Sequence, residues 1–397
     1  MKIRRLAIRG FRSLRDVVWE PDALNVLIGP NASGKSNLLR LLELMAISAQ
    51  GRLGKHIQRA GGMDALVWDG RYDRIAMDCK CLPLEDHRDP DRDSLSYELE
   101  LGRIGRTSAY RIDRELLGHS KAKTEQGSEP SMPVERRLQV LSPNTGTEEL
   151  LTAPEDELPE QETLLSVSAR PFTPYLSMVR QQLASWCVYH DIHVNHDAPI
   201  RQPVVVRFEK RVDPDGQNLI CVLHTLYTGD REFKRAIDDA MGAAFGDDFE
   251  ELVFPPAADQ RVQLRVRWRS LEREQSAADL SDGTLRFLFL LTVLASPTPA
   301  PVIAIDEPET GLHPAMLPIV AEYAAEAAGR TQVILTTHSP QFLNAFSIID
   351  TQPTTTVVKS VDGATELRNF NEERLSEWLK EYALGELFRS GELEAEA

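Results

Sequence analysis

From Gly29 to Ser36 the chain reads Gly-Pro-Asn-Ala-Ser-Gly-Lys-Ser, a spacing of glycines, lysine and hydroxyl that suits a nucleoside triphosphate. Gly29, Pro30, Asn31, Ala32, Ser33 and Gly34 would bend the backbone so that its N–H groups close around phosphate oxygens. Lys35 would reach the β and γ phosphates and the Ser36 hydroxyl would ligate Mg²⁺. The helix that begins here, with Asn37 in its first turn, would add the positive end of its dipole.

A second set lies far downstream. Pro301-Val302-Ile303-Ala304-Ile305 is an apolar run that ends in Asp306 and Glu307, two carboxylates at a strand end, where phosphoryl chemistry needs them. Asp306 would hold Mg²⁺ through water. Glu307 would orient and deprotonate the attacking water, a role worth roughly 10²- to 10⁴-fold in rate. His338 follows the apolar strand Val333-Ile334-Leu335 and Thr336-Thr337; read alone, it is a polar strand terminus. Leu280-Ser281-Asp282-Gly283-Thr284 precedes an apolar helix from Leu285 to Ala295 and, read alone, is a helix cap.

The elements that must position these groups are legible in outline. Residues 2–9 and 24–28 read as strands, the second as a short apolar run of the kind buried on both faces of a parallel sheet. Leu38, Leu42, Met45 and Ala49 recur at helical spacing, so the phosphate loop lies between strand and helix. Strict alternation over Ile75–Cys81 and Leu95–Leu101 predicts half-buried antiparallel strands. Between about 118 and 166 periodicity is lost, and Glu148 to Glu162 holds seven acids and no base, which predicts a disordered loop. Thr173-Pro174 starts a helix with Leu176, Val179, Leu183, Trp186 and His190 on one face. Two further helices are expected, around Leu219–Tyr227 and after an Asp230 cap. Arg261 to Trp268 alternates as one strand, with an arginine face formed by Arg261, Arg265 and Arg267. Strand and helix then alternate through 301–306, 314–328, 331–336 and 340–346, with a last helix near 371–384.

Composition narrows the class. With 397 residues there is room for one large core with an insertion. No apolar run approaches a membrane span and the start is no signal segment, so the expected location is the cytoplasm, away from membranes. Four cysteines, Cys79, Cys81, Cys187 and Cys221, suit reduced core thiols rather than a disulfide framework. A net charge of −16 opposes general attraction to nucleic acid, so DNA contact would have to be local. The arginine face at 261–269 is the candidate surface for it, against a plain solvated face as the alternative.

Taken together, Phe11-Arg12-Ser13-Leu14, the phosphate loop, Leu-Ser-Asp-Gly-Thr, Asp306-Glu307-Pro308-Glu309-Thr310-Gly311-Leu312-His313-Pro314 and Thr337-His338-Ser339-Pro340 resemble the AAA-family ATPases of the RecF/SMC/OLD-like ABC-type group. Asp215-Gly216-Gln217-Asn218-Leu219 and Trp378–Leu387 extend the resemblance to a stand-alone bacterial subgroup. It implies an α/β fold, an ABC-type P-loop ATPase head with a mixed sheet, flanking helices and an inserted, mainly helical lobe. The expected division is 1–112 for the N-terminal part of the head, 113–260 for the inserted lobe and 261–397 for the C-terminal part.

It further implies ATP hydrolysis with Mg²⁺ and a homodimer closed by ATP. Ser281 and Gly283 would form a signature motif that closes on the partner's γ-phosphate, His338 would contact that phosphate, and Arg12 would approach the nucleotide. No Toprim-like second acidic cluster follows His338, so a nuclease or other effector would be separately encoded. The glutamine loop of such heads has only Gln58 as a candidate. DNA repair or anti-phage defence is the implied setting. Kept beside it are the nucleotide-binding subunit of a transporter and an ATP-gated scaffold that does not bind DNA.

Overall fold

The computed structural model describes residues 2–82, 94–105, 107–120, 138–141, 148–151, 161–167, 174–190, 192–347, 349, 351–369 and 384–392. The chain divides into two compact units built from interleaved segments: residues 1–22, 29–186 and 356–368 form the first, and residues 23–28, 187–355 and 369–397 the second. No helix among the described residues is long and apolar enough to cross a membrane.

The first unit is organised by a five-stranded antiparallel sheet. Its strands are β1 (Lys2–Phe11), β2 (Leu14–Trp19), β4 (Arg74–Leu82), β5 (Ser94–Arg103) and β6 (Tyr110–Ser120), in the order β2-β1-β4-β5-β6. Alternation sorts the side chains by face. Ile3, Leu6, Ile8, Met77, Cys79, Cys81, Tyr97 and Leu99 are buried, while the polar face carries cross-strand ion pairs such as Arg5–Asp78 at 3.4 Å and Arg74–Glu100 at 2.8 Å. Helix α1 (Lys35–Ala49) buries Leu38, Leu42, Met45 and Ala49, the stripe expected from their spacing, and Leu39, Leu41 and Leu44 beside it. It packs against α2 (Leu53–Arg59), α3 (Leu164–Val167) and α4 (Pro174–Ala184).

The stretch from 118 to 166, expected as a disordered loop, differs where it is described. β7 (Leu138–Leu141) and β8 (Glu148–Leu151) pair as an antiparallel ladder, and α3 makes one helical turn. Elements this short leave too few apolar residues to register as a period. Residues 121–137, 142–147 and 152–160 lie outside the described residues.

The second unit holds a parallel core. β3 (Leu24–Ile28), β17 (Gln332–Thr337), β16 (Val302–Asp306) and β9 (Cys187–Tyr189) pair side by side in that order. Every residue of β3 and β17 is buried, as continuous apolar runs covered on both faces must be. Even Asn25 is buried, its Nδ2 donating to the Val333 carbonyl at 3.2 Å. β9 falls inside the segment expected as an insertion, yet it extends the core sheet beside β16.

The helices of this unit are α5 (Leu219–Gly229), α6 (Arg231–Phe245), α7 (Asp282–Leu294), α8 (Leu317–Ala328) and α9 (Pro340–Phe346). Asp230 caps α6 by accepting from the N–H groups of Glu232 and Phe233. The expected single strand over 261–268 is two pieces: β13 (Arg261–Val262) pairs with Val204–Val205 and Pro256–Ala257, and β14 (Arg265–Trp268) pairs with Phe249–Val253 and Gln275–Ser276. Side-chain alternation survives the break because the chain stays extended while changing partners. The helix expected near 371–384 lies outside the described residues except for Leu384, which begins a helix ending at Ser390. The architecture is a mixed α/β core with flanking and inserted helices.

Candidate functional site

In the first unit the phosphate loop leaves the end of β3 and enters α1. Gly34 has φ 110° and precedes a helix start that no side chain caps, so the N-terminal N–H groups of α1 have no competing side-chain acceptor. The Lys35 ammonium lies folded over the loop, donating to the Gly29 carbonyl at 2.6 Å and to the Pro30 carbonyl at 3.1 Å. Its side chain is buried. Ser33 Oγ is buried without a hydrogen-bond partner among the described residues, and so is Arg12 Nε. Orphaned polar atoms around a glycine-lined cradle fit a bound polyanion, because each such atom is costly until a partner arrives.

Of the residues that brace the cradle, the sequence marked Ser13 and Asn37 but not Thr365. Thr365 Oγ1 hydrogen-bonds to Ser13 Oγ at 2.7 Å and donates to the Ser33 carbonyl at 2.9 Å; its N–H donates to the Ser13 carbonyl at 2.7 Å. Asn37 Nδ2 donates to Ser13 Oγ at 2.8 Å. A Cβ added to Gly34 would stand 2.0 Å from Thr365 Oγ1; glycine is what lets the hairpin of the neighbouring strands Thr354–Val361 and Ala364–Asn369 press on the loop. Arg12 has left-handed backbone, φ 48°, and its N–H donates to the Leu66 carbonyl at 2.7 Å. Burial lowers its pKa, Arg40 adds to the effect and Glu43 opposes it, which places its charge near α1. Gln58 is an exposed residue of α2.

In the second unit, parallel register aligns the chemistry at one sheet end. Ile28 is opposite Thr337, and Asp306 is opposite Thr336. Thr336 governs both carboxylates: its hydroxyl donates to Asp306 Oδ1 in a short hydrogen bond. The Glu307 N–H is directed at the Thr336 hydroxyl (3.0 Å) and carbonyl (3.2 Å). Glu307 turns there with φ 47°, a left-handed backbone that is costly for a residue with a Cβ.

The turn sends the adjacent side chains into different surroundings. Asp306 is 15% exposed, with His190 Nδ1 at 3.6 Å from Oδ2. Glu307 is 36% exposed and meets His338, Oε1 to Nδ1, at 3.0 Å. Glu309 is only 8% exposed. It accepts from the Thr337 hydroxyl and the His338 N–H, its Oε2 is buried without a partner among the described residues, and burial pushes its carboxyl above the usual carboxylate range. Sequence alone assigns Thr336, His190 and Glu309 no role in the site: Glu309 stands in the motif, Thr336 in a strand and His190 on an expected helix face, whereas α4 ends at Ala184 and His190 follows the strand β9.

Ser281 and Gly283 stand at the start of α7. Ser281 Oγ accepts from the Thr284 N–H at 3.1 Å, so the cap is formed. Gly283 lies against the loop after Glu307: a Cβ there would be 2.7 Å from the Gly311 carbonyl. In the same unit the arginine face is largely compensated. Arg267 pairs with Glu251 and, at 2.7 Å, with Glu274; Arg265 reaches Glu274 at 3.9 Å. The four cysteines are free and buried.

The family model described as AAA domain, putative AbiEii toxin, Type IV TA system matches residues 24–344. Among solved structures, the SMC head bound to the C-terminal winged-helix domain of ScpA has a TM-score of 0.56 at 15% identity, over 95% of this chain and 100% of that one. The Smc head domain with an extended coiled coil bound to the C-terminal domain of ScpA, derived from Pyrococcus furiosus, gives 0.55 at 13% identity, over 96% and 99%. The SMC head domain from Thermotoga maritima gives 0.46 at 14%, over 94% and 100%. These are likenesses of fold. No curated protein matches the chain. With the phosphate loop, the strand-end carboxylates and a family match over most of its length, the chain belongs to the AAA-domain family described as putative AbiEii toxin, Type IV TA system, and is an ATP-binding and hydrolysing P-loop domain whose fold is similar to that of SMC heads.

Proposed function

We propose that the protein is a RecF/SMC-like ATPase whose copies pair around ATP, and that hydrolysis resets a separately encoded protein effector in anti-phage or toxin–antitoxin defence. In this reading the backbone of Gly29–Gly34, with Lys35, Ser36 and Asn37, holds the phosphates, and Arg12 lies beside them. Ser36 and Asp306 would hold Mg²⁺, which when bound supplies charge neutralisation on the β and γ oxygens. Glu307 takes the proton of the attacking water, and His338, whose Nδ1 lies 3.0 Å from Glu307 Oε1, aligns that carboxylate and faces the terminal phosphate. Ser281 and Gly283 at the start of α7 present N–H and hydroxyl donors to the phosphate of the other copy.

The observation that carries the reading is the turn at Glu307. Thr336 holds Asp306 back as a half-enclosed ligand and turns the next carboxylate outward against His338, the division of labour that a metal ligand and a general base require.

A protein effector is favoured over DNA because two of the three arginines of that face are paired, Arg267 with Glu251 and Glu274 and Arg265 with Glu274. The family description names a toxin system, and the SMC heads of similar fold were solved with a domain of ScpA. Both support a protein partner.

The test is Glu307→Gln. With ATP and Mg²⁺ this variant should sediment as a dimer and hydrolyse about 10²- to 10⁴-fold more slowly than the parent. Parental turnover would remove Glu307 from its role, and a persistent monomer would remove the ATP-closed pair. Stimulation of parental turnover by DNA would restore DNA as the partner.

A further inference from the structure

Arg201 is the most heavily engaged buried charge near the start of α7. It ends the single 3-10 turn Pro199–Arg201, and its side chain is 5% exposed. Nε donates to the carbonyls of Val194 at 2.7 Å and Asn195 at 3.2 Å. Nη1 is directed at the carbonyls of Ala277, Ala278 and Leu280 at 3.1, 3.2 and 2.6 Å. Nη2 makes a short ion pair with Asp282, the first residue of α7. One planar cation thus ties three carbonyls and a carboxylate on either side of Ser281, a span that a lysine's point charge could not cover.

The turn that carries Arg201 is itself anchored to α7. The Ile200 N–H reaches Gln217 Oε1 at 3.4 Å. Asn218 ties down the preceding segment, donating to Glu209 at 2.6 Å and the Arg211 carbonyl at 3.0 Å. Gly216, with φ 72°, lies so close to Phe289 of α7 that a Cβ would sit 3.1 Å from its ring. The Asp215–Leu219 motif is therefore the bracket that sets Arg201 against the loop 277–282.

We infer that Arg201 is the positioning residue of the Ser281 loop: its guanidinium fixes the loop that offers Ser281 and Gly283 to the nucleotide held by a second copy. Its side chain is spent on the carbonyls and the carboxylate that flank Ser281, so it acts through the loop. The inference rests on the ATP-closed pair proposed above and adds a residue that the motif itself does not contain.

A mixing experiment separates this role from general support of the fold. Arg201→Lys should lower kcat about 10- to 100-fold, the scale of a small misplacement of a reacting group, with ATP affinity of the isolated subunit unchanged. Lys35→Ala should be inactive for lack of phosphate binding. Mixed in equal amounts, the two variants should recover about a quarter of the parental rate, because half of the pairs are mixed and each mixed pair has one intact sandwich. Ser281→Arg mixed with Lys35→Ala is the control.

Recovery in the control without recovery for Arg201→Lys overturns the role of Arg201 and leaves the ATP-closed pair standing. No recovery in the control overturns the pair and this inference with it. Should Arg201→Lys fail to fold, Asp282→Asn carries the same test: its side chain is 64% exposed, and it removes the carboxylate end of the knot. A parental rate for Asp282→Asn, or inactivity that mixing does not relieve, then overturns the inference.

Discussion

Glu307 offers a test in which stability and chemistry pull apart. Its φ of 47° puts a β-carbon into the left-handed region, a conformation that costs an L-residue about 1–2 kcal/mol. The Glu307 N–H, directed at Thr336, holds it there. Compare Glu307→Ala with Glu307→Gly. Both remove the carboxylate and both should abolish hydrolysis, but only glycine releases the backbone. Against that relief stands the extra freedom of glycine in the unfolded chain, about 0.5–1 kcal/mol. The difference leaves the glycine variant more stable than the alanine variant by about 0 to 1.5 kcal/mol, the reverse of the order found at ordinary positions. Urea denaturation of the two variants side by side reads it as a shift in midpoint at constant slope. If the glycine variant is instead the less stable by about 0.5–1 kcal/mol, the turn is not strained and the argument that strain aims the carboxylate fails.

Two further outcomes follow from the geometry. Gly34→Ala would place a methyl 2.0 Å from Thr365 Oγ1 at a φ of 110°; it should destabilise by about 2–4 kcal/mol, overpacking added to backbone strain, and abolish ATP binding measured by calorimetry. Glu309 tests linkage. Burial raises its folded-state pKa, so its contribution favours folding below the unfolded pKa and is lost as pH rises through the folded one. Glu309→Gln should therefore stabilise more at about pH 8 than at about pH 4. A larger gain at the acidic pH, read from urea midpoints, would contradict the burial of that carboxyl.

Local signals were the legible ones. The phosphate loop announces itself through glycine, lysine and serine at fixed spacing, and it does lie between β3 and α1. The apolar runs of β16 and β17 fixed the sheet end at which Asp306 and His338 emerge, and the Asp230 cap predicted the start of α6.

What stayed hidden depends on tertiary pairing. Thr365 braces the cradle through Ser13, 352 residues away in sequence, and a lone threonine after a turn carries no mark of that use. Arg201 meets Asp282 across 81 positions; in sequence it is one more arginine beside prolines. Thr336 had no role in the sequence beyond its place in a strand until register set it opposite Asp306. The break between β13 and β14 was invisible because alternation records which way side chains point, and both pieces keep the same alternation.

The interleaving of segments has a bearing on biosynthesis. Unit one takes its last piece, residues 356–368, only after most of unit two has been made. At roughly 5–20 residues per second, the 352 positions from Ser13 to Thr365 take about 18–70 s to translate. Through that interval the antiparallel sheet can form on the ribosome while the phosphate loop still lacks the hairpin that presses on Gly34. Until Thr365 has been made, the chain is thus held without a finished phosphate cradle.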